Sequence, residues 1–349
     1  MPGRGHVAHR PRCEKEATVT VTDPVGPTVA EVGEFPTIAR ATAGRRQPVS
    51  TLVGPGHDAA LVAAPDGRVA VSTDMLVEGR HFRLDWSTPR QVGRKAVAQN
   101  GADVAAMGAR PTAFLVGLGC PPDTPVSVLD EISAGIGEAA EELGAGVVGG
   151  DLVQADQVIV AVTVLGDLGG HAPLLRSGAR PGDTVALAGS TGRSAAGLAL
   201  LLAGNDGFPE LVDAHREPTP PYAAGPAATV AGAVAGTDIS DGLLADLGHI
   251  AEASGVRITL DPDRLEPAAP IGAAAAALGA DPWEWVLAGG EDHALAACFP
   301  PDVPLPDDWH RIGVVEDGHG VTVAGSPHPG PGGWQSFTPP PRSDTDVSR

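Results

Sequence analysis

Strand-like and helix-like stretches alternating in two blocks predict an α/β (α+β) protein of two domains. Three observations carry that expectation. A chain of 349 residues is long enough for two cores. With 47 Gly and 34 Pro it is rich in turn formers, as many short elements require. Aromatics are only 3% of residues, so the cores must be built from Ala, Val, Leu and Ile.

Residues 1–30 mix Arg, His, Pro and Glu without periodicity and read as a disordered leader. Order is expected to start in GEFPTIARATAG (33–44). A strand at 59–62 turns back through Pro65-Asp66-Gly67 into a strand at 69–72. QVGRKAVAQNGADVAAMGA (91–109) has helical spacing and stops at Gly108. A strand at 112–119 precedes a long helix over 125–144, whose Ile132, Ile136, Ala139 and Leu143 share a face. Strands at 145–149 and 157–165 close the first block. The second opens in RSGARPGDTVALAGSTG (176–192), where a strand leads through a Gly turn into the helix SAAGLALLLA. REPTPPYAAGP (216–226) reads as a linker or a helix entry. A strand at 256–260, an Ala-rich helix at 271–278, the segment AGGEDHALAACF and a strand pair near 311–323 follow. The domains are thus expected at 31–168 and 169–338, with a frayed tail over 339–349.

The net charge of −20 argues against nucleic acid, which needs clustered Lys and Arg. A phosphate-bearing ligand can approach such a surface only with cations interposed. Cys13, Cys120 and Cys298 are widely spaced without a CxxC, so neither a disulfide framework nor a zinc site is expected. No apolar run reaches the roughly 18 residues of a membrane span. The N-terminus lacks the apolar core of a secretory signal, which points to the cytoplasm.

GTDISDGLLADLGHI (236–250) crowds Asp238, Asp241 and Asp246 together. Leu243, Leu244, Leu247 and Ile250 form an amphipathic helical face that Ser240 or Asp241 could cap. Capping accounts for one acid and not the pair; Asp246 reads as a solvated helix residue. Similar acids recur. Asp58 lies in GPGHDAAL, and Ser72, Thr73 and Asp74 end VAVSTD. Asn100 and Asp103 are three apart on one helical face. Asp151 follows two glycines in GVVGGD. Each alone is explained as a solvated turn residue. As a set, with oxygen donors and no His/Cys spacing, they favour hard cations, with Mg²⁺ bridging to substrate phosphates. Neither a GxxxxGK[ST] loop nor an HRD/DFG pair is present.

Taken together, GEFPTIAR, GPGHDAAL, VSTDMLVEGRHF, KAVAQNGADVAAMGARP, GGD, RSGARPGD, GSTGRSAAGL, DISDGLLADLGHIAEASG, GGED and the terminal GW resemble the thiamine-monophosphate kinase family. That family belongs to the superfamily of aminoimidazole ribonucleotide synthetase, and the likeness runs from Gly33 to Phe337. It implies a two-domain fold in which the N-terminal domain forms a barrel shared within a homodimer, beside a C-terminal α/β domain. The implied reaction moves the ATP γ-phosphoryl group to thiamine monophosphate, with several Mg²⁺ ions and no general base. Carried over by position, Asp58, Ser72, Thr73, Asp74, Asp103, Asp151, Asp238 and Asp241 are the implied Mg²⁺ ligands. Gly150, Arg176 and Ser240 are the implied ATP contacts, and His81, Glu291 and Trp334 those to thiamine monophosphate.

The residue types suit these roles. Arg176 offers a planar fork for phosphate, and Trp334 a surface for stacking on a flat ring. GSTGRSAAG (189–197) either presents backbone N–H groups to nucleotide or simply joins strand to helix. The chain departs from the family pattern at His57, Leu152, Pro221, His293, Ala294 and Ser336, none of which removes an implied ligand. These departures keep two alternatives open: an ATP-dependent enzyme of the superfamily with another substrate, or a non-catalytic nucleotide- or metal-binding paralogue.

Overall fold

A computed structural model describes residues 26–55, 59–330 and 332–334. Asp58 and His57, the tail from 339 on and most of the expected leader lie outside the described residues. The leader was drawn too long, however. Helix α1 (Val29–Val32) is preceded by Thr28, whose hydroxyl accepts from Glu31 N while the Glu31 carboxylate accepts from Thr28 N. This reciprocal cap fixes chain direction before residue 30.

Helix α2 (Glu34–Thr42) follows, then a two-stranded antiparallel pair, β1 (Thr51–Val53) and β2 (Leu61–Val62). The first main unit comprises β3 (Ala70–Val77), α3 (Pro89–Ala106), β4 (Arg110–Cys120), α4 (Val126–Glu142), β5 (Gly146–Gln154) and β6 (Ile159–Asp167). Its sheet has the order β3-β6-β4-β5; β6 is antiparallel to both neighbours, and β4 and β5 are parallel. Helix α3 starts two residues before its apolar period because Thr88 and Gln91 form a capping box and Pro89 occupies the first turn.

Helices α3 and α4 cover one face of this sheet, where Val92, Val97, Ile132 and Ile136 pack with Val160, Val162 and Val164. The other face is open. Val71, Met75, Leu115 and Val153 on it are 60%, 51%, 37% and 54% exposed. Strand alternation sends Ser72, Asp74 and Leu76 of β3 to the helices, and Val71, Thr73 and Met75 to the open side.

The second unit contains β7 (Thr184–Ala188), α5 (Arg193–Leu202), α6 (Pro209–Arg216), α7 (Ala224–Ala231), β8 (Ala235–Ile239), α8 (Leu243–Ser254) and β9 (Arg257–Leu260). It continues through α9 (Ala269–Leu278), α10 (Pro282–Ala288), β10 (Ala294–Phe299), β11 (Trp309–Glu316) and β12 (Gly320–Val323). The sheet order is β12-β9-β11-β7-β10-β8, with β12 parallel to β9 and every other pair antiparallel. The short helices α6 and α10 were not expected from sequence. Each begins on a proline, a breaker inside a helix but favourable at its first position. The stretch 216–226 is a linker only to Ala223, after which α7 packs its Ala224 and Ala228 beside Ala105 of α3. Helix α3 also touches β8 and β10, so it is shared by both units. No helix among the described residues is long and apolar enough to cross a membrane.

Candidate active site

Strand β8 delivers Asp238 to a tight loop, Ser240–Gly242, before α8 begins. Gly242 has φ +133°, and a Cβ there would lie 2.8 Å from the Ala288 carbonyl oxygen, so only glycine fits. The N–H groups of Ser240, Asp241 and Gly242 each donate to Asp246 Oδ2 at 3.0 Å. The cap is therefore Asp246, reaching back from the first turn of α8, and neither Ser240 nor Asp241. Asp246 is not the solvated residue expected from sequence: it is 2% exposed. Burial, and then the Asp238 charge, push its carboxyl up to about 7 against the pull of those backbone bonds. With Asp246 closing the loop, the side chains of Ser240 and Asp241 are released from capping.

The acids of β3, α3 and β8 meet across the two units. Ser72 Oγ donates to Asp103 Oδ2, and Asp74 N donates to Asn100 Oδ1 at 3.0 Å. Asn100 also donates to Ala96 O at 2.9 Å, so it fastens strand to helix. Burial chiefly, then Asp238 and Asp74, push Asp103 up to about 7, while its bond from Ser72 opposes the shift. Asp241 is raised for the same reasons: burial first, then Asp238, with Asp74 a smaller contributor. Asp238 Oδ2 is buried and faces the equally buried His293 ring, whose Nδ1 lies 3.6 Å away, just beyond hydrogen-bond distance. A cleft of ≈ 540 Å³, lined by Ser72, Asp103, Arg176, Thr237 and Asp238, opens over this cluster. Among the described residues, no three His, Cys, Asp or Glu side chains are gathered tightly enough to hold an ion by themselves.

Three expected site residues lie elsewhere in the chain. Thr73 faces the open side of the sheet, opposite its neighbours Ser72 and Asp74; it donates to Val162 O and accepts from Thr163 Oγ1, both at 3.0 Å. Gly150 and Asp151 sit on β5, the far edge of the sheet from β3. Three interstrand steps, about 14 Å, separate them from Asp74. The pairings Met75–Ala161, Ala161–Gly117 and Gly117–Asp151 put Asp151 on the open face as well. A strict period of two explains both placements: adjacent strand residues point to opposite faces. Gly150 and Asp151 instead border a small apolar pocket lined largely by Ile38, Leu118, Leu129 and Ile136. A Cβ on Gly150 would lie 2.1 Å from Val116 O, so glycine is required there.

On the far side of the Ser240 loop lies the GGED turn. Glu291 and His293 adopt φ +62° and +53°, unusual for residues with side chains. Glu291 N donates to Ser240 O at 2.8 Å and His293 N to Ile239 O at 2.9 Å, which ties the two loops together. Glu291 Oε2 is 3.2 Å from Lys95 Nζ, which also donates to His81 O at 3.1 Å. The His81 ring accepts from Val77 N through Nδ1 at 3.0 Å. Burial would raise the Glu291 carboxyl, but Lys95 leads a set of groups that outweigh it and hold it low. Asp292 accepts from Gly192 N at 2.6 Å and Ser194 N at 2.8 Å. The Gly192 and Ser194 N–H groups of the 189–197 loop are thereby occupied within the protein. Burial pushes Asp292 up to about 7. Trp334 N donates to Asp241 O at 2.9 Å, while its side chain stays in solvent, the residue being 65% exposed.

His215 Nδ1 lies 3.0 Å from Ser194 Oγ and 3.4 Å from Glu291 Oε2. Burial, then the Lys95 charge, lower its pKa from 6.5 to about 4. The fold favours neutral imidazole, whereas the unfolded chain takes the proton near 6.5. Its contribution, about 3 kcal/mol, is present above that value and is lost as pH falls toward the folded pKa. Urea midpoints of His215→Gln are expected to fall less than those of wild type between about pH 7 and about pH 4.5. Parallel declines would rule this out.

Comparison with known proteins gives this geometry a setting. Residues 56–168 match the AIR synthase related protein, N-terminal domain, and residues 180–325 match the corresponding C-terminal domain. The chain is 57% identical over 316 residues to a thiamine-monophosphate kinase of Mycobacterium tuberculosis, covering 90% of this chain and 94% of that protein. The chain belongs to the AIR synthase related family, among the thiamine-monophosphate kinases. Another member of the kinase family, from Corynebacterium glutamicum, is 46% identical over 323 residues, covering 89% of this chain and 96% of its own length. A solved structure, AaThiL complexed with AMPPCP and TMP, superposes with a TM-score of 0.72 at 32% identity, covering 88% of this chain and 98% of that one.

Within this family member, three residues escaped sequence reasoning: Lys95, Asp246 and Asp292. Lys95 did leave a signal, being the one lysine within the small, apolar helix 91–107. Asp246 and Asp292 reach backbone groups of loops whose path only the fold reveals.

Proposed function

We propose that this chain transfers the γ-phosphoryl group of ATP to thiamine monophosphate, forming thiamine diphosphate. The observation that carries this reading is the meeting of Asp74, Asp103, Asp238 and Asp241 at a cleft beside the GGED turn, in a chain so close to thiamine-monophosphate kinases. The acceptor is already an anion, so transfer needs alignment and charge neutralisation more than a proton acceptor. Arg176 and Ser240 would hold the ATP phosphates. The apolar cavity beside Gly150 suits the adenine ring. Glu291 offers an anion to the cationic thiazolium, His81 lines the same side, and the exposed Trp334 can stack on a flat ring.

The residues fit Mg²⁺. Asp103 and Asp241 carry raised pKa values, Asp238 has a buried oxygen that makes no hydrogen bond, and the donors are oxygens throughout. Asp58, Ser72, Asp74, Asp103, Asp238 and Asp241 would hold the ions with help from substrate phosphates. Bound ions would neutralise charge on the transferring group. Thr73 and Asp151 join this set in a homodimer. The apolar open face, and β3 and β5 as the outer strands of this sheet among the described residues, support two copies closing into a shared barrel. There the β5 edge of one copy, with Gly150 and Asp151, meets its partner's β3 edge. Buried free thiols at Cys120 and Cys298 are in keeping with a cytoplasmic enzyme.

The test is purified protein with ATP, Mg²⁺ and thiamine monophosphate, followed for thiamine diphosphate. ATP binding without product at saturating Mg²⁺ would favour the non-catalytic paralogue; turnover of other acceptors alone would favour a different superfamily enzyme.

Metal binding has its own readout. The fold favours neutral Asp103, so its contribution to stability is full below 3.8 and is lost as pH rises through about 7. Mg²⁺ engages the ionised form. Its stabilising effect on the melting temperature is therefore expected to be larger near about pH 8 than about pH 5.5. Equal shifts at both would remove Asp103 from the ligand set.

A further inference from the structure

Lys95 is 2% exposed, and an ammonium so thoroughly desolvated survives only where its partners are fixed. It has two. One is the His81 carbonyl, in the turn after β3; the other is the Glu291 carboxylate, in the turn before β10. The two belong to different units, and Lys95 reaches both from α3, the helix those units share. Glu291 is held in a left-handed backbone conformation, and the Lys95 ammonium at 3.2 Å gives its carboxylate one direction. His215 supplies a second contact at 3.4 Å but is neutral, with its pKa near 4, and so cannot replace the cation.

We propose that Lys95 is a positioning residue for the acceptor: it clamps the His81 turn to Glu291 so that both halves of the thiamine monophosphate site keep one register. It acts through these two groups and touches neither ATP nor the reacting phosphates. The proposal rests on the functional reading above, since it takes His81 and Glu291 as the acceptor's contacts. A merely structural lysine would serve as well when replaced by a chain of similar length. Positioning requires the charge.

The experiment compares wild type with Lys95→Met, which keeps the length and removes the charge, and with the double variant Lys95→Met/Glu291→Gln. Thiamine monophosphate turnover by wild type is measured first, and its absence overturns the functional reading rather than the role of Lys95. For Lys95→Met the KM for thiamine monophosphate is expected to rise about tenfold or more, while the KM for ATP stays within about twofold. Calorimetric titration with thiamine monophosphate alone is expected to show the same loss. Equal rises in both KM values, or an unchanged acceptor KM, overturn the proposal. Should Lys95→Met fail to fold because Glu291 is left buried and unpaired, the double variant removes that charge. A folded double variant whose acceptor KM exceeds that of Glu291→Gln alone, with normal ATP binding, supports positioning through His81, and equal acceptor KM values in those two variants overturn it. Failure of both variants to fold overturns it, because Lys95 would then be needed for the fold itself.

Discussion

Asp74→Asn and Asp151→Asn are each expected to lower turnover at least about tenfold while leaving the protein folded. An equimolar co-refolded mixture of the two is expected to regain about a quarter of wild-type turnover, since half of randomly paired dimers are mixed and each has one intact site. Asp74 faces the cleft, where its charge raises both Asp103 and Asp241. Its loss removes a proposed ligand but also relieves repulsion among the acids, so ligand-free Asp74→Asn should melt no lower than wild type. Asp151 lies across the sheet on the other face, its carboxylate accepting from Leu152 N at 2.9 Å. In the proposed homodimer it reaches the cleft of the partner. Full activity in both variants would dismiss the acid cluster. A mixture that dimerises and stays inactive would dismiss the shared site.

The second large effect falls on stability. Asp246→Leu is expected to cost about 3 kcal/mol, read from denaturant midpoints, because three N–H groups, one buried and two half-buried, lose their acceptor together. The same change frees the loop carrying Ser240 and Asp241, so turnover should fall even at temperatures where the variant is folded. Asp246→Asn keeps one acceptor oxygen and should be far milder. It should also flatten the pH dependence: wild-type Asp246, favoured neutral by the fold, contributes stability below 3.8 that fades as pH rises through about 7. Similar midpoints for the leucine and asparagine variants would show that the three bonds matter little.

Much of the architecture was legible because it rests on periodicity. Helix α4, expected over 125–144, spans Val126–Glu142, and the strand expected at 157–165 is β6, Ile159–Asp167. What stayed hidden depends on pairing. Alternation along VAVSTD already separates Thr73 from Ser72 and Asp74. Only the packing of α3 and α4 decides which side is covered. The distance from Asp74 to Asp151 follows from strand order, which no local pattern encodes. Lys95 was visible as a lone lysine in a small-residue helix, but Glu291 lies 196 positions away. Asp246 looked solvated because its helix face was judged by the leucines alone, and the three amides it serves precede the helix.

Helix α3 carries Lys95 on one side of the proposed reaction and Asp103 on the other, eight residues and about 12 Å apart along the axis. It works as a ruler whose graduations are residues. One residue inserted between them would turn the two ends by about 100° relative to each other and take acceptor and cation sites out of phase. An insertion between α5 and α6, at Asn205–Gly207, would leave that spacing untouched. In the proposed reaction the two reactants are thus kept at a set separation by helix length.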